Sequence, residues 1–173
     1  MRSVTIILTF LTFYCLTGIS QVPDTISIDN IVRTIEDDKG LKAVSVTDEK
    51  YLEKMEDFNG GIVGYFKNKE LVKISVYSAY GNEIYEYCYY LADDKPVYCW
   101  FHASEYDGTD YLKLDKSKLK LIRGDRMYLT NNKIFDYRSF SNGKWTKVTS
   151  DAKEVMNRNQ NILDDIVSFK SGL

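Results

Sequence analysis

Few residues of this chain have types and spacing that could do chemistry. Cys88 and Cys99 flank the acidic pair Asp93-Asp94 within YEYCYYLADDKPVYCWF, residues 85 to 101, and one histidine, His102, follows directly. Carboxylates also gather as EYDGTD at 105 to 110 and pair at Asp37-Asp38. If Asp93-Asp94 forms a two-residue hairpin turn, Cys88 and Cys99 stand opposite one another across it. Opposed hydrogen-bonded residues have Cα atoms about 5.5 Å apart, a span a disulfide can bridge. In an oxidising compartment this makes a structural disulfide the expected state, with free buried thiols as the alternative. A catalytic redox pair is not expected, because neither a C-x-x-C spacing nor a helix N-terminus lowers a thiol pKa here.

The remaining chemistry is mostly excluded. A single histidine rules out a histidine-rich zinc site, and any Ser/His/Asp arrangement would have to use His102. On the hairpin register that residue lies opposite Tyr85 and reads as a rim histidine, hydrogen-bonded or solvated. EYDGTD lacks the alternating ligand spacing of a calcium loop and reads as a solvated turn. No P-loop, dinucleotide fingerprint or G-x-S-x-G occurs. No catalytic residue, metal ligand or cofactor site is therefore assigned.

The elements that must position these residues begin with a leader. Arg2 followed by the apolar run Val4 to Leu16, too short to span a bilayer comfortably, and then Gly18-Ile19-Ser20, predicts a signal peptide over 1–20 cleaved before Gln21. Its loss leaves no transmembrane segment and one domain over 21–173, exported to the periplasm or secreted. It also removes one of 23 basic residues, leaving 22 against 25 acidic ones. That balance, with no basic cluster interleaved with aromatics, argues against nucleic acid as a partner. The most basic stretch, KLDKSKLKLIR at 113 to 123, reads as a solvated edge strand or loop.

Ser27 caps a predicted short helix through Ile28, Ile31, Val32 and Ile35, ended by Gly40, and a second amphipathic piece is expected at Tyr51, Leu52, Met55 and Phe58. From Ile62 to Val148, β-rich runs are punctuated by KNKE, Gly81-Asn82, Asp93-Asp94, Asn131-Asn132 and Ser141-Asn142-Gly143, the spacing of an antiparallel meander. Asp151 and Glu154 open a closing helix whose apolar stripe reads Ala152, Val155, Met156, Leu163, Ile166 and Val167.

Turn geometry then predicts faces. Gly81-Asn82 sets Val76 opposite Tyr87, Ile74 opposite Tyr89 and Val72 opposite Leu91. Asp93-Asp94 sets Tyr87 opposite Trp100, Tyr89 opposite Tyr98 and Leu91 opposite Pro96, giving three strands one apolar core face. The other face would carry Tyr77, Glu86, Tyr90 and Phe101, with Cys88 and Cys99 between them. Three rings on a second face need covering, by the protein's own helix or by a partner.

GGIVGYFKNKELVKI at 60 to 74, the YEYCYYL strand, an acidic turn, RMYLTNNKIFDY and the terminal amphipathic helix together resemble a group of small exported proteins of gram-negative bacteria. Those proteins carry phrases of the form G-G-x-x-x-G-Y-[YF]-x-N-x-x-L-x-K-I before an E-Y-Y-F type strand. The resemblance spans roughly residues 28 to 168 and is specific over 60 to 100. It implies export and fold style rather than an activity. The cysteine pair, and ADDKP in place of a glycine-containing turn, depart from the group's pattern.

The expectation is an α+β domain: a curved antiparallel meander of six to eight strands with an N-terminal helical segment and a C-terminal amphipathic helix. The expected function is a non-catalytic binding or interaction module. It would use Tyr77, Glu86, Tyr90 and Phe101 for a protein, peptide, glycan or lipid, since rings give large contact area at small entropic cost. The alternative is a small secreted hydrolase with acidic residues converging in a cleft.

Overall fold

The computed structural model of the chain describes residues 24–46, 60–108, 115–149 and 152–172. The expected leader and the amphipathic piece at Tyr51 to Phe58 lie outside them, as do residues 109–114 of the acidic and basic stretches. Helix α1 (Thr25–Asp37) precedes eight strands: β1 (Lys42–Ser45), β2 (Gly60–Lys67), β3 (Glu70–Tyr80), β4 (Glu83–Ala92), β5 (Lys95–Tyr106), β6 (Leu119–Thr130), β7 (Lys133–Ser141) and β8 (Lys144–Lys147). Helix α2 (Ala152–Gly172) closes the chain. All strands belong to one antiparallel sheet in sequence order, with β1 and β8 at its edges. This is the α+β meander expected from the turn spacing.

The turns work because their residues tolerate left-handed backbone. Asp93 and Asp94 have φ of 49° and 61°, and Asn131 and Asn132 have 48° and 60°. Asn142 and Gly143 are likewise at positive φ. Paired positive φ matches the right-handed twist of the flanking strands. The basic stretch is a local edge: Leu119–Arg123 pairs with β5, whereas pairing with β7 starts at Gly124.

The β3–β4 register follows the Gly81-Asn82 turn as expected, with Val76 opposite Tyr87 and Ile74 opposite Tyr89. The β4–β5 register follows its turn only for Ala92↔Lys95 and Leu91↔Pro96. An extra residue, Val97, then bulges out, and beyond it Tyr90 faces Tyr98, Tyr89 faces Cys99, Cys88 faces Trp100 and Tyr87 faces Phe101. The expected pairs Tyr87–Trp100 and Tyr89–Tyr98 are thereby corrected. A one-residue slip moves every later side chain to the other face. Cys88 and Cys99 thus lie on opposite sides of the sheet, and both are free, buried thiols, so the expected bridge between them is not formed.

Each face has its own helix. On the first, Ile62, Ile74, Tyr89, Leu91, Cys99, Met127, Leu129 and Tyr137 pack with Ile162, Ile166 and Phe169 of α2. On the second, Val72, Cys88, Tyr90, Tyr98 and Tyr128 pack with Ile28 and Ile35 of α1. The α1 cap is Asp24, whose Oδ1 accepts from Ser27 N–H at 2.7 Å, so the helix begins earlier than a Ser27 cap would place it. Polar bonds fix α1 on the sheet: Tyr128 donates to Asp29 at 3.0 Å, Tyr90 donates to Glu36 at 2.6 Å, and Lys73 also pairs with Glu36.

The buried stripe of α2 is Ile162, Ile166 and Phe169, while Met156 and Val167 of the expected stripe point to solvent at 71% and 69% exposure. Hydrogen bonds and ion pairs from both of its halves seat this helix. Asn159 Nδ2 donates to Asn132 O at 2.7 Å, Ile134 N–H donates to Asn159 Oδ1 at 3.2 Å, and Lys170 reaches Asp94 at 2.9 Å. Thus α2 is pinned to the β6–β7 turn near one end and the β4–β5 turn near the other.

Candidate functional site

The register slip moves Phe101 away from the other expected binding residues, and α1 covers Tyr90. Tyr90 is buried beneath α1, where its hydroxyl meets Glu36 and accepts from Trp100 Nε1 at 3.4 Å. Phe101 has moved to the first face, in contact distance of Tyr87. Tyr77 and Glu86 do stand side by side on the second face, with His102 opposite Glu86. Tyr77 is half-exposed, and its ring lies across Gly61 so closely that a Cβ there would come within 2.7 Å of it. The second glycine of the GGIVGY phrase thus makes room for a neighbouring ring. The four residues therefore do not form one surface.

His102 is part of a ring cluster rather than a catalytic constellation. Its imidazole centroid is 4.3 Å from Trp100 and 6.1 Å from Trp145, over Gly124. Burial, and then the nearby Arg126 guanidinium, push its pKa down to about 4, so the ring is neutral at physiological pH. Arg126 in turn stacks 4.1 Å from the Trp145 ring centroid.

A cavity of about 530 Å³ opens instead on the first face, between the sheet and α2. Tyr89, Cys99, Phe101, Met127, Tyr137 and Ile162 are buried around it. Tyr87, Arg123, Asn161 and Asp164 form its exposed rim, with Ser139, Arg158 and Asp165 partly exposed. The rings are ordered by cross-strand pairing: Tyr87 and Phe101 are register partners with centroids 4.7 Å apart, and Tyr85 stacks on Phe101 from the other side at 6.4 Å. The Arg123 guanidinium sits 5.2 Å from the Phe101 centroid.

Two carboxylates enter this cavity from different elements. Asp125 of β6 is buried and engaged at both oxygens, accepting from Tyr137 at 3.0 Å and from Arg158 of α2 at 3.1 Å. Asp165 of α2 accepts from Tyr89 at 2.8 Å. Burial raises the Asp165 pKa above the ordinary carboxylate value, with the Tyr89 bond opposing and Asp164 adding to the rise. Burial also raises the Tyr87 and Tyr137 hydroxyls, so both stay protonated donors.

Neither Asp125 nor Asp165 stands out in the sequence as a site residue. Asp125 lies in RGDRMY among exposed-looking charges, and Asp165 interrupts the stripe of α2. A carboxylate at an inward helical position, next to Ile162 and Ile166, is the signal that could have found it.

Three of the acidic groups read from sequence have structural partners. Asp38 ends α1 and pairs with Lys67 at 3.0 Å, Asp94 holds Lys170, and Glu105 accepts from Asn82 at 3.3 Å. Among the described residues no cluster of His, Cys, Asp and Glu side chains is arranged to hold a metal ion, and no helix is long and apolar enough to cross a membrane. No family model matches the chain, nor does any curated protein or solved structure.

Proposed function

We propose that this chain is an exported, non-catalytic binding module whose ligand occupies the groove between α2 and the first sheet face. The carrying observation is the cavity of about 530 Å³, a size suited to a small molecule, in which Tyr87 presents a ring backed by Phe101 beside a rim of charged and amide side chains. Export rests on the charged start, short apolar run and small residues of positions 1–20. Compared with the surface expected from Tyr77, Glu86, Tyr90 and Phe101, the proposed site keeps only Phe101.

A second reading, a small secreted hydrolase, is favoured by one observation: Asp165 holds its proton more firmly than an ordinary carboxylate while Asp125 is ion-paired in the same cavity. The binding reading is preferred because Tyr137 and Arg158 hold both oxygens of Asp125, which stabilises its charge and opposes its use as a base.

Thermal-shift screening of the protein purified after export, against saccharides, amines, short peptides and acyl chains, tests both. Stabilisation by a compound that is lost in Tyr87→Ala supports the groove. Stabilisation unaffected by Tyr87→Ala and Arg123→Ala overturns it. Turnover of any of these compounds that disappears in Asp165→Asn replaces the binding reading with the hydrolase.

A further inference from the structure

We infer that the ligand of this groove is a neutral polyhydroxylated molecule, a saccharide, stacked on Tyr87 with its hydroxyls met by the charged rim. The inference rests on the groove being the binding site and adds the chemical class of what binds there.

Three observations carry it. The first is the platform. Tyr87 is 38% exposed, yet its ring is tilted against its cross-strand partner Phe101 at 4.7 Å, and Phe101 is itself in contact with Tyr85 and Arg123. A ring fixed in this way offers a flat apolar surface that costs little entropy when a ligand lands on it. The C–H face of a pyranose is flat and weakly apolar and suits such a surface.

The second observation is the charge pattern around the platform. Arg158 and Asp125 neutralise one another at 3.1 Å, which leaves Arg123 on one side and Asp164 with Asp165 on the other. An anionic ligand would gain from Arg123 and lose against the two α2 carboxyls, and a cationic ligand would meet the reverse. A hydroxyl both donates and accepts, so a ring bearing several of them satisfies carboxyl and guanidinium groups together without carrying charge into the groove.

The third is the uncharged polar part of the lining. Asn161 adds an amide to the lining, and the Ser139 hydroxyl, which donates to Gly124 O at 3.4 Å, adds an acceptor, which suits a ligand with polar groups around its edge better than an acyl chain. Sugar C–H faces and hydroxyl edges match this division between apolar floor and polar rim.

The test compares ligands that share one ring and differ in charge. Ligand-observed NMR titrations with the exported protein would use glucose, glucosamine and glucuronate. They would also use neutral di- to tetrasaccharides of gluco, galacto, manno and xylo type. At least one neutral saccharide should bind about tenfold or more tightly than its charged counterparts, and Tyr87→Ala should weaken it by a similar factor while the melting temperature holds. Arg123→Ala, at an exposed position, should weaken it as well and serves if Tyr87→Ala fails to fold. Preferential binding of glucosamine or glucuronate overturns the neutral-ligand inference. If no saccharide binds but a compound of another class does so in a Tyr87-dependent way, the saccharide inference falls and the groove remains. If saccharides bind regardless of both substitutions, the groove falls with it.

Discussion

Tyr89 donates its hydroxyl to Asp165 across 2.8 Å, joining the middle of β4 to a helix 76 residues further along the chain. This bond is the donor that partly offsets the cost of burying the Asp165 carboxyl, whose pKa burial raises. Tyr89→Phe should therefore destabilise the fold by about 1–2 kcal/mol at pH 7, where a carboxylate loses its donor. The loss should shrink as pH falls and Asp165 takes up a proton, which its raised pKa lets it do earlier than an ordinary carboxylate. Urea denaturation of both proteins over the acid range measures this; a loss that does not change with pH would mean that the Tyr89 bond is not linked to the Asp165 proton.

Asp125 is the more demanding group because it is buried and its counter-ion comes from α2. Arg158→Met should leave it without a cation and cost about 1–3 kcal/mol, toward the lower end because the guanidinium is partly exposed. Adding Asp125→Asn to that variant should recover part of the loss. Denaturant midpoints of the two single variants and the double variant would show the coupling, and strict additivity would mean that the pair contributes nothing.

The two thiols should behave as inert core groups. Burial pushes Cys88 up to about 12 and Cys99 also upward, so neither is a thiolate at pH 8. Alkylation of the native protein should be negligible over the time in which denatured protein reacts at both positions. Peptide mapping without reductant should find no Cys88–Cys99 cross-link, and finding one would require the Val97 bulge to be absent.

His102 predicts an acid limb of stability. Its folded pKa of about 4 lies below the ordinary value of 6.5, so between those values the unfolded chain binds a proton that the folded chain refuses. Stability is thus complete above about pH 6.5 and declines as pH falls toward 4, by about 1–2 kcal/mol once solvent screening of a partly exposed ring is allowed for. His102→Phe should flatten that part of the stability–pH curve. An unchanged slope would assign the acid limb to other groups.

How much was legible beforehand follows from what sequence can encode locally. Turn residues such as Asn131-Asn132 and Asp93-Asp94 announce themselves because few side chains tolerate their backbone, and from them the meander and the β3–β4 register follow. The bulge at Val97 has no such mark: it needs neither glycine nor a special side chain, and Pro96 beside it fits either register. That single unmarked residue misplaced Cys99 and Phe101 and dissolved the predicted binding face. In α2 the true inward stripe contains Arg158 and Asp165, so apolar periodicity selected Met156 and Val167 on the outer side. Polar groups buried for a site are what a hydrophobic pattern hides.

Because every strand pairs with its sequence neighbour, the sheet forms by closing one connection at a time, and each hairpin can zip onto the last. The contacts of α2 with β4 and its turn are of another kind, returning across 76 residues to Tyr89 and Asp94. Loop-closure entropy places those contacts after the shorter ones that α2 makes with β6 and its turn, and with them the completed groove, one wall of which is α2. The proposed ligand site is then among the parts of the molecule that form late and open early, so a ligand bound there should slow unfolding far more than it speeds folding.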